Sequence, residues 1–257
     1  MKIKIQLILI FLFLGSICTY SQIINSKPKD TTVTVKYLLS SDWTFTFGNY
    51  NSFITVNQGQ LAVEQRIIGA KILSKYRYGA VEGVTNYNEF YVNADLLFFP
   101  KNTVYGFANG GLEFSFLRGV NLRAWGSLGV GFKVLNQNDH KFEPTITLNY
   151  EHSDFESPVL YRGDSTTLIE TIITSIGWTG SHKFFKDKLL IVHNYKWSQD
   201  LLFATNYKFD GGVTLAVPII KKLMVKTSLI GSYQNIVPIN KKQGDLIWTI
   251  GFAWGNF

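Results

Sequence analysis

Along most of the chain, apolar and polar residues alternate with a period of two, the spacing that sends successive side chains to opposite faces of a strand. Over residues 141–153 one phase reads Phe142, Pro144, Ile146, Leu148, Tyr150, His152, and the other Lys141, Glu143, Thr145, Thr147, Asn149, Glu151, Ser153. Residues 207–217 set Tyr207, Phe209, Gly211, Val213, Leu215 and Val217 against Lys208, Asp210, Gly212, Thr214 and Ala216. Residues 223–233 repeat the pattern, with Leu223, Val225, Thr227, Leu229 and Tyr233 against Lys226, Ser228 and Ser232. These runs exceed the ~5–6 residues usual for strands in globular proteins. An apolar face of that length fits a tilted strand crossing a roughly 25 Å apolar band.

The pattern predicts strands over 43–49, 53–65, 71–81, 89–99, 104–116, 122–135, 141–155, 168–183, 189–200, 206–217, 223–236 and 246–257. The fold class is therefore all-β: a transmembrane antiparallel up-and-down β-barrel of about twelve strands, with ten as the alternative count. An even number returns both ends to one side of the membrane, and the connections sort accordingly. Those at 68–69, 100–102, 136–140, 184–187 and 218–222 are short and rich in turn residues, and are assigned to the periplasm; those around Asn86, at 156–167 and at 237–244 are assigned to the outside. Residues 29–41 read either as an extra strand or as a periplasmic lead-in. Trp43, Trp178, Trp197, Trp248 and Trp254 fall near predicted strand ends, where amphipathic rings form an interfacial girdle. The competing reading of these rings is a soluble β core.

Composition narrows the choice. Only 17% of residues are charged while 46% are hydrophobic, against about 25% charged in a typical soluble domain. Beyond the N-terminus no window approaches the roughly 18 consecutive apolar residues of a spanning helix. The N-terminus itself reads as a secretory signal: Lys2 and Lys4, an apolar stretch over 7–17, then Thr19-Tyr20-Ser21 with small residues placed for cleavage before Gln22. A lipidated Cys18 would need a small residue where Ile17 stands. The expected organisation is signal peptide 1–21, lead-in 22–42 and barrel 43–257, in the outer membrane of a Gram-negative bacterium. Loss of Cys18 removes thiol chemistry from the mature chain. Loss of Lys2 and Lys4 lowers the formal charge from +7 to +5. The remaining bases are scattered rather than patched, which with export excludes a nucleic-acid partner.

Assigning the polar phase to the lumen and counting across the turns predicts three ion pairs: Lys133 with Glu143, Lys196 with Asp210, and Arg77 with Asp95. Opposite charges facing each other across a sheet attract by roughly 0.2–1 kcal/mol, and a lone charge in a narrow lumen costs more. The expectation is a lumen of modest width, partly filled by paired side chains. His152-Ser153-Asp154 suggests a hydrolase, but neighbours on a strand point to opposite faces, so His152 and Ser153 are badly placed as base and nucleophile. No catalysis is expected. His140, His182 and His193 lack metal-ligand spacing, and neither metal nor cofactor is expected. Arg162-Gly163-Asp164 matches a cell-adhesion tripeptide on an outer loop, but Gly-Asp is ordinary turn chemistry.

Over residues 43–257 the chain resembles the domain-of-unknown-function 481 family, also called salt-induced outer-membrane proteins. The resemblance is carried by Tyr207-Lys-Phe-Asp-Gly-Gly-Val-Thr-Leu-Ala-Val-Pro-Ile-Ile-Lys-Lys-Leu, a strand ending in Val217-Pro218 before a basic turn, and by 122–135 with Gly126, Gly129 and Gly131 on a hydrophobic strand. It implies an outer-membrane barrel of unknown activity and supplies no catalytic residues. The C-terminal strand, the feature read by the barrel-assembly machinery, departs from the usual pattern. Trp248, Ile250, Phe252 and Trp254 share one phase while Phe257 lies on the other, and a bulge at Gly255 would restore the phase. The expected role is structural, or a narrow pore for a small solute or ion, in contact with outer-membrane lipid. The alternatives are a lipid-modifying hydrolase and a secreted soluble β protein that binds an apolar ligand.

Overall fold

A computed structural model describes residues 33–46 and 52–256. The expected signal peptide, its cleavage site and Phe257 lie outside the described residues. The strands are β1 (Thr34–Thr46), β2 (Ser52–Glu64), β3 (Ile68–Val81), β4 (Val84–Phe98), β5 (Val104–Ser115), β6 (Val120–Phe132), β7 (Leu135–Asn136), β8 (His140–Tyr161), β9 (Asp164–Phe184), β10 (Leu189–Asp200), β11 (Tyr207–Ile220), β12 (Leu223–Gln234) and β13 (Gly244–Asn256). Neighbours in sequence pair antiparallel, β1 pairs with β13, and β6 pairs with β8, so the sheet closes on itself. Because β7 is only a two-residue ladder on the start of β8, the wall has twelve staves. Closure removes the free edges that an open sheet would present.

The alternation places apolar side chains outside. Leu128, Ile146, Leu148, Ile176, Leu229, Ile250 and Phe252 are exposed, whereas Ser40, Asn93, Ser127, Asn149, Thr171, Ser175, Ser198, Ser228 and Thr249 are buried on the opposite phase. A water-soluble core has the reverse arrangement; this one suits a wall in hydrocarbon around a polar interior. No described helix is long and apolar enough to cross a membrane, and the crossing is made by strands. The end carrying Thr34 and Asn256 is the periplasmic one, and the other carries the β8–β9 hairpin and the 235–243 loop. The five tryptophans expected in the girdle all lie on the outward phase. Trp43, Trp197 and Trp248 stand toward the extracellular ends of their strands, and Trp178 and Trp254 toward the periplasmic ends.

Four expectations need correction. The wall begins at Thr34 rather than at residue 43, so of the two readings of 29–41 the strand is the one that 34–41 follow, and the lead-in expected over 22–42 does not reach that far. Alternation there is masked because Leu38 turns inward against Leu190, Ala216, Met224 and Ala253. The β3–β4 turn is Glu82-Gly83, not Asn86; both residues have positive φ (50° and 78°), the geometry of a tight two-residue hairpin turn whose second position suits glycine. The span 156–167 is not a loop, because β8 and β9 continue through it past a register shift between Asp154 and Val159 and meet at Arg162-Gly163. Finally, β13 has no bulge at Gly255: the pairing runs unbroken through Tyr37–Asn256, Leu38–Gly255 and Leu39–Trp254.

Large lumenal rings are seated on small residues of the next strand. Trp125 lies opposite Gly111, and a Cβ there would overlap the indole and come within 2.5 Å of the Val92 carbonyl oxygen. Overpacking of this kind typically costs 1–3 kcal/mol. Gly111→Ala is accordingly expected to lower unfolding stability by about 1–3 kcal/mol, read by urea titration of the barrel in lipid vesicles. An unchanged midpoint would mean that the Trp125 ring is free to move away.

Candidate functional site in the lumen

From the periplasmic end upward, the inward phase forms successive layers. In the lowest, Lys36 pairs with Glu64 at 3.4 Å and the Tyr105 hydroxyl donates to Glu143 at 3.3 Å. In the middle, Asn109 donates to Asn93 (2.7 Å) and Asp95 (2.6 Å) and accepts from the Trp125 indole N–H (3.0 Å) and the Ser127 hydroxyl (2.8 Å). Trp125 also stacks on Tyr91 with ring centres 5.3 Å apart. Continuing round the wall from Ser127, whose register partner is Asn149, the side chains of Asn149, Ser175 and Ser198 form a hydrogen-bonded row.

Charge is concentrated in the extracellular third. Arg77 reaches Asp245 at 2.7 Å and Glu89 at 3.0 Å, and those carboxylates also accept from Ser232 and Ser115, each at 2.5 Å. Arg123, only 3% exposed, meets Glu113 at 2.8 Å and Glu151 at 3.3 Å and donates to Gln234 Oε1 at 2.8 Å. Arg118 also pairs with Glu113, and Lys208 with Glu151. β6, which carries Arg123, and β12, which carries Gln234, stand five strands apart around the ring of twelve, so this hydrogen bond spans the bore. Beyond this layer Val120, Phe155, Val159, Tyr161, Ile169 and Ile236 pack with Phe203 into an apolar cap. The cap is tied down by Asp200, which accepts from Tyr161 (2.8 Å), Thr171 (2.7 Å), Asn206 (2.8 Å) and the backbone N–H of Leu202 (2.7 Å).

Of the three anticipated pairs, Lys196 and Asp210 are direct register partners across β10 and β11, Lys196 being exposed and Asp210 half-buried. Arg77 does not pair with Asp95. A turn at Asn86 would bring Asp95 near Arg77, whereas the turn at Glu82-Gly83 with the irregularity after Gly79 brings Glu89 opposite Arg77. Asp95 instead faces Lys71 in register and accepts from Asn93 and Asn109. Lys133 does not pair with Glu143 either. Regular β6–β8 pairing stops at Gly131, and β7 resumes it one residue out of step. Tyr105 fills the gap, its ring beneath the Lys133 ammonium and its hydroxyl on Glu143, while Lys133 donates to the Pro100 carbonyl.

Sequence reasoning did not find Glu89, Glu113, Arg118, Arg123, Glu151, Lys208, Gln234 and Asp245. For one pair a signal was present, since Glu113 and Arg123 flank the 116–119 turn and lie opposite in register. His152 and Ser153 point to opposite faces, His152 toward Glu170 (3.1 Å) and Ser153 donating to Glu151 (3.0 Å). Among the described residues no group of three or more His, Cys, Asp or Glu side chains is arranged to hold one metal ion.

The barrel is similar in structure to the NanC porin, with a TM-score of 0.50 and 8% identity over 84% of this chain and 98% of that one. The KdgM porin aligns with a TM-score of 0.43 and 9% identity over 86% and 99% of the two chains. No curated protein matches the sequence. The model of the family described as "Protein of unknown function, DUF481" matches residues 26–255. An outer-membrane β-barrel with a porin-like fold and a bridged lumen, the chain belongs to the DUF481 family.

Proposed function

We propose that this barrel is a narrow pathway for small polar solutes or ions that rests closed at its extracellular end, and that it is not a hydrolase. The observation that carries this reading is the Arg123–Gln234 bridge across the bore, made while Arg123 also holds Glu113 and Glu151. Below the bridge the lining sets Ser, Thr, Asn, Gln and charged residues among lumenal rings such as Trp125 and Tyr91 and the small apolar cluster at Leu38, and its polar groups suit hydrated solutes. The Ser153 hydroxyl is engaged by Glu151 and has no imidazole on its own face, which argues against a nucleophile. The secretory signal peptide cleaved near Ser21, the surrounding outer-membrane lipid and recognition of β13 by the assembly machinery belong to the same proposal. Trp248, Ile250, Phe252 and Trp254 support the last, since they share the outward phase.

Osmotic swelling of proteoliposomes tests the pathway. Slow swelling in urea and glycine with none in the trisaccharide raffinose is expected. Rapid raffinose entry would contradict a narrow bore, and no entry of any solute would favour a purely structural barrel. Release of fatty acid from phospholipid that disappears in Ser153→Ala would overturn the non-catalytic reading.

A further inference from the structure

Three of the four histidines, one from each of the neighbouring strands β8, β9 and β10, meet on the outward face at the periplasmic end of the wall. His140 is the register partner of His182, and His193 lies opposite Gly180, whose missing side chain leaves room for its ring beside His182. His182 Nε2 is 3.2 Å from His193 Nε2, and His182 Nδ1 is 3.4 Å from His140 Nδ1. The two contacts use opposite nitrogens of His182, so the three rings do not converge on one point.

Two imidazole nitrogens about 3.2 Å apart have the spacing of two ligands on one ion with metal–nitrogen bonds of about 2.0–2.1 Å. We propose that His182 and His193 form a two-histidine site for a divalent transition cation of the class that prefers imidazole, such as Cu²⁺, Ni²⁺ or Zn²⁺, with His140 as a positioning residue. The His140 Nδ1–His182 Nδ1 contact supplies the positioning: in the tautomer in which His182 donates its Nδ1–H to His140, the Nε2 lone pair of His182 is free for the ion. His193 Nδ1 is buried without a hydrogen-bond partner, so Nε2 is the nitrogen that this ring presents. The rings are held by aromatic neighbours: Phe184 lies 5.5 Å from His140, Phe142 6.3 Å and Tyr195 6.1 Å from His193. Water or a lipid phosphate at the membrane interface would complete the coordination.

Tag-free barrel, folded in detergent micelles, is titrated with CuCl₂, NiCl₂ and ZnCl₂ by calorimetry. The number of coordinating nitrogens is read from the Cu²⁺ electron paramagnetic resonance spectrum. One Cu²⁺ per chain with a two-nitrogen signature is expected. His182→Gln and His193→Gln should each abolish the signature, while His152→Gln, outside the cluster, should leave it intact. Loss of an outer-shell partner typically weakens metal binding by 10–100-fold. His140→Phe should therefore weaken binding by about 10–100-fold with the two-nitrogen signature retained, and His140→Asn, whose amide oxygen can accept the same N–H, should restore it. A heat-dependent gel shift confirms that each variant is folded. A wild type without stoichiometric binding, or a signature that survives His182→Gln, overturns the site. A folded His140→Phe that binds like wild type overturns the positioning role.

Discussion

Arg123→Met is expected to lower the unfolding stability of the barrel by about 3–5 kcal/mol, the usual consequence of removing one partner from a buried ion network. The side chain it replaces holds four partners: Glu113, Glu151, Ser153 and Gln234. Without the guanidinium, two carboxylates stay in a layer almost closed to water, with only Arg118 and Lys208 to balance them. A second substitution separates loss of charge balance from loss of packing. Neutralising Glu113 in the same chain, as Arg123→Met with Glu113→Gln, should recover part of the loss, because replacing a buried pair as a whole is far less harmful than breaking it. Urea unfolding in lipid vesicles, followed by the heat-dependent gel shift, reads both. Equal losses in the single and double variants would show that the network holds the barrel by shape rather than by charge.

The second large effect concerns the outer wall. Ile146 faces outward at 52% exposure, flanked in register by Val130 and Ile176. On a water-washed surface, Ile146→Arg would change stability by no more than about 0.5 kcal/mol. Facing hydrocarbon, it should cost about 2–4 kcal/mol in vesicles, a penalty that shrinks for substitutions nearer the interface. Thr147→Arg on the adjacent, lumen-facing position would instead collide with the Phe107 ring packed over Gly129 and would not report on lipid.

The features legible in the sequence are those that depend only on phase. The apolar runs through Ile146, Leu148 and Tyr150, and through Trp248, Ile250, Phe252 and Trp254, face outward because a period of two leaves no other choice once one face is apolar. The lumenal partners were not legible for two physical reasons. A misplaced turn slides every pair of its hairpin: a turn at Asn86 in place of Glu82-Gly83 puts Asp95 rather than Glu89 beside Arg77. Contacts between strands that are not neighbours, such as Arg77–Asp245 at a separation of 168 residues and Arg123–Gln234 at 111, depend on barrel diameter and stagger, which all twelve registers set together. The histidines were hidden in the same way: nothing local in the sequence joins His140 to His182.

Single-channel recording in planar bilayers, wild type beside Arg123→Met, tests the bridged-lumen reading most directly. A small or absent steady conductance in the wild type, with a clear increase when Arg123 no longer spans to Gln234, is the predicted result. A large, steady wild-type conductance that the substitution leaves unchanged would contradict it.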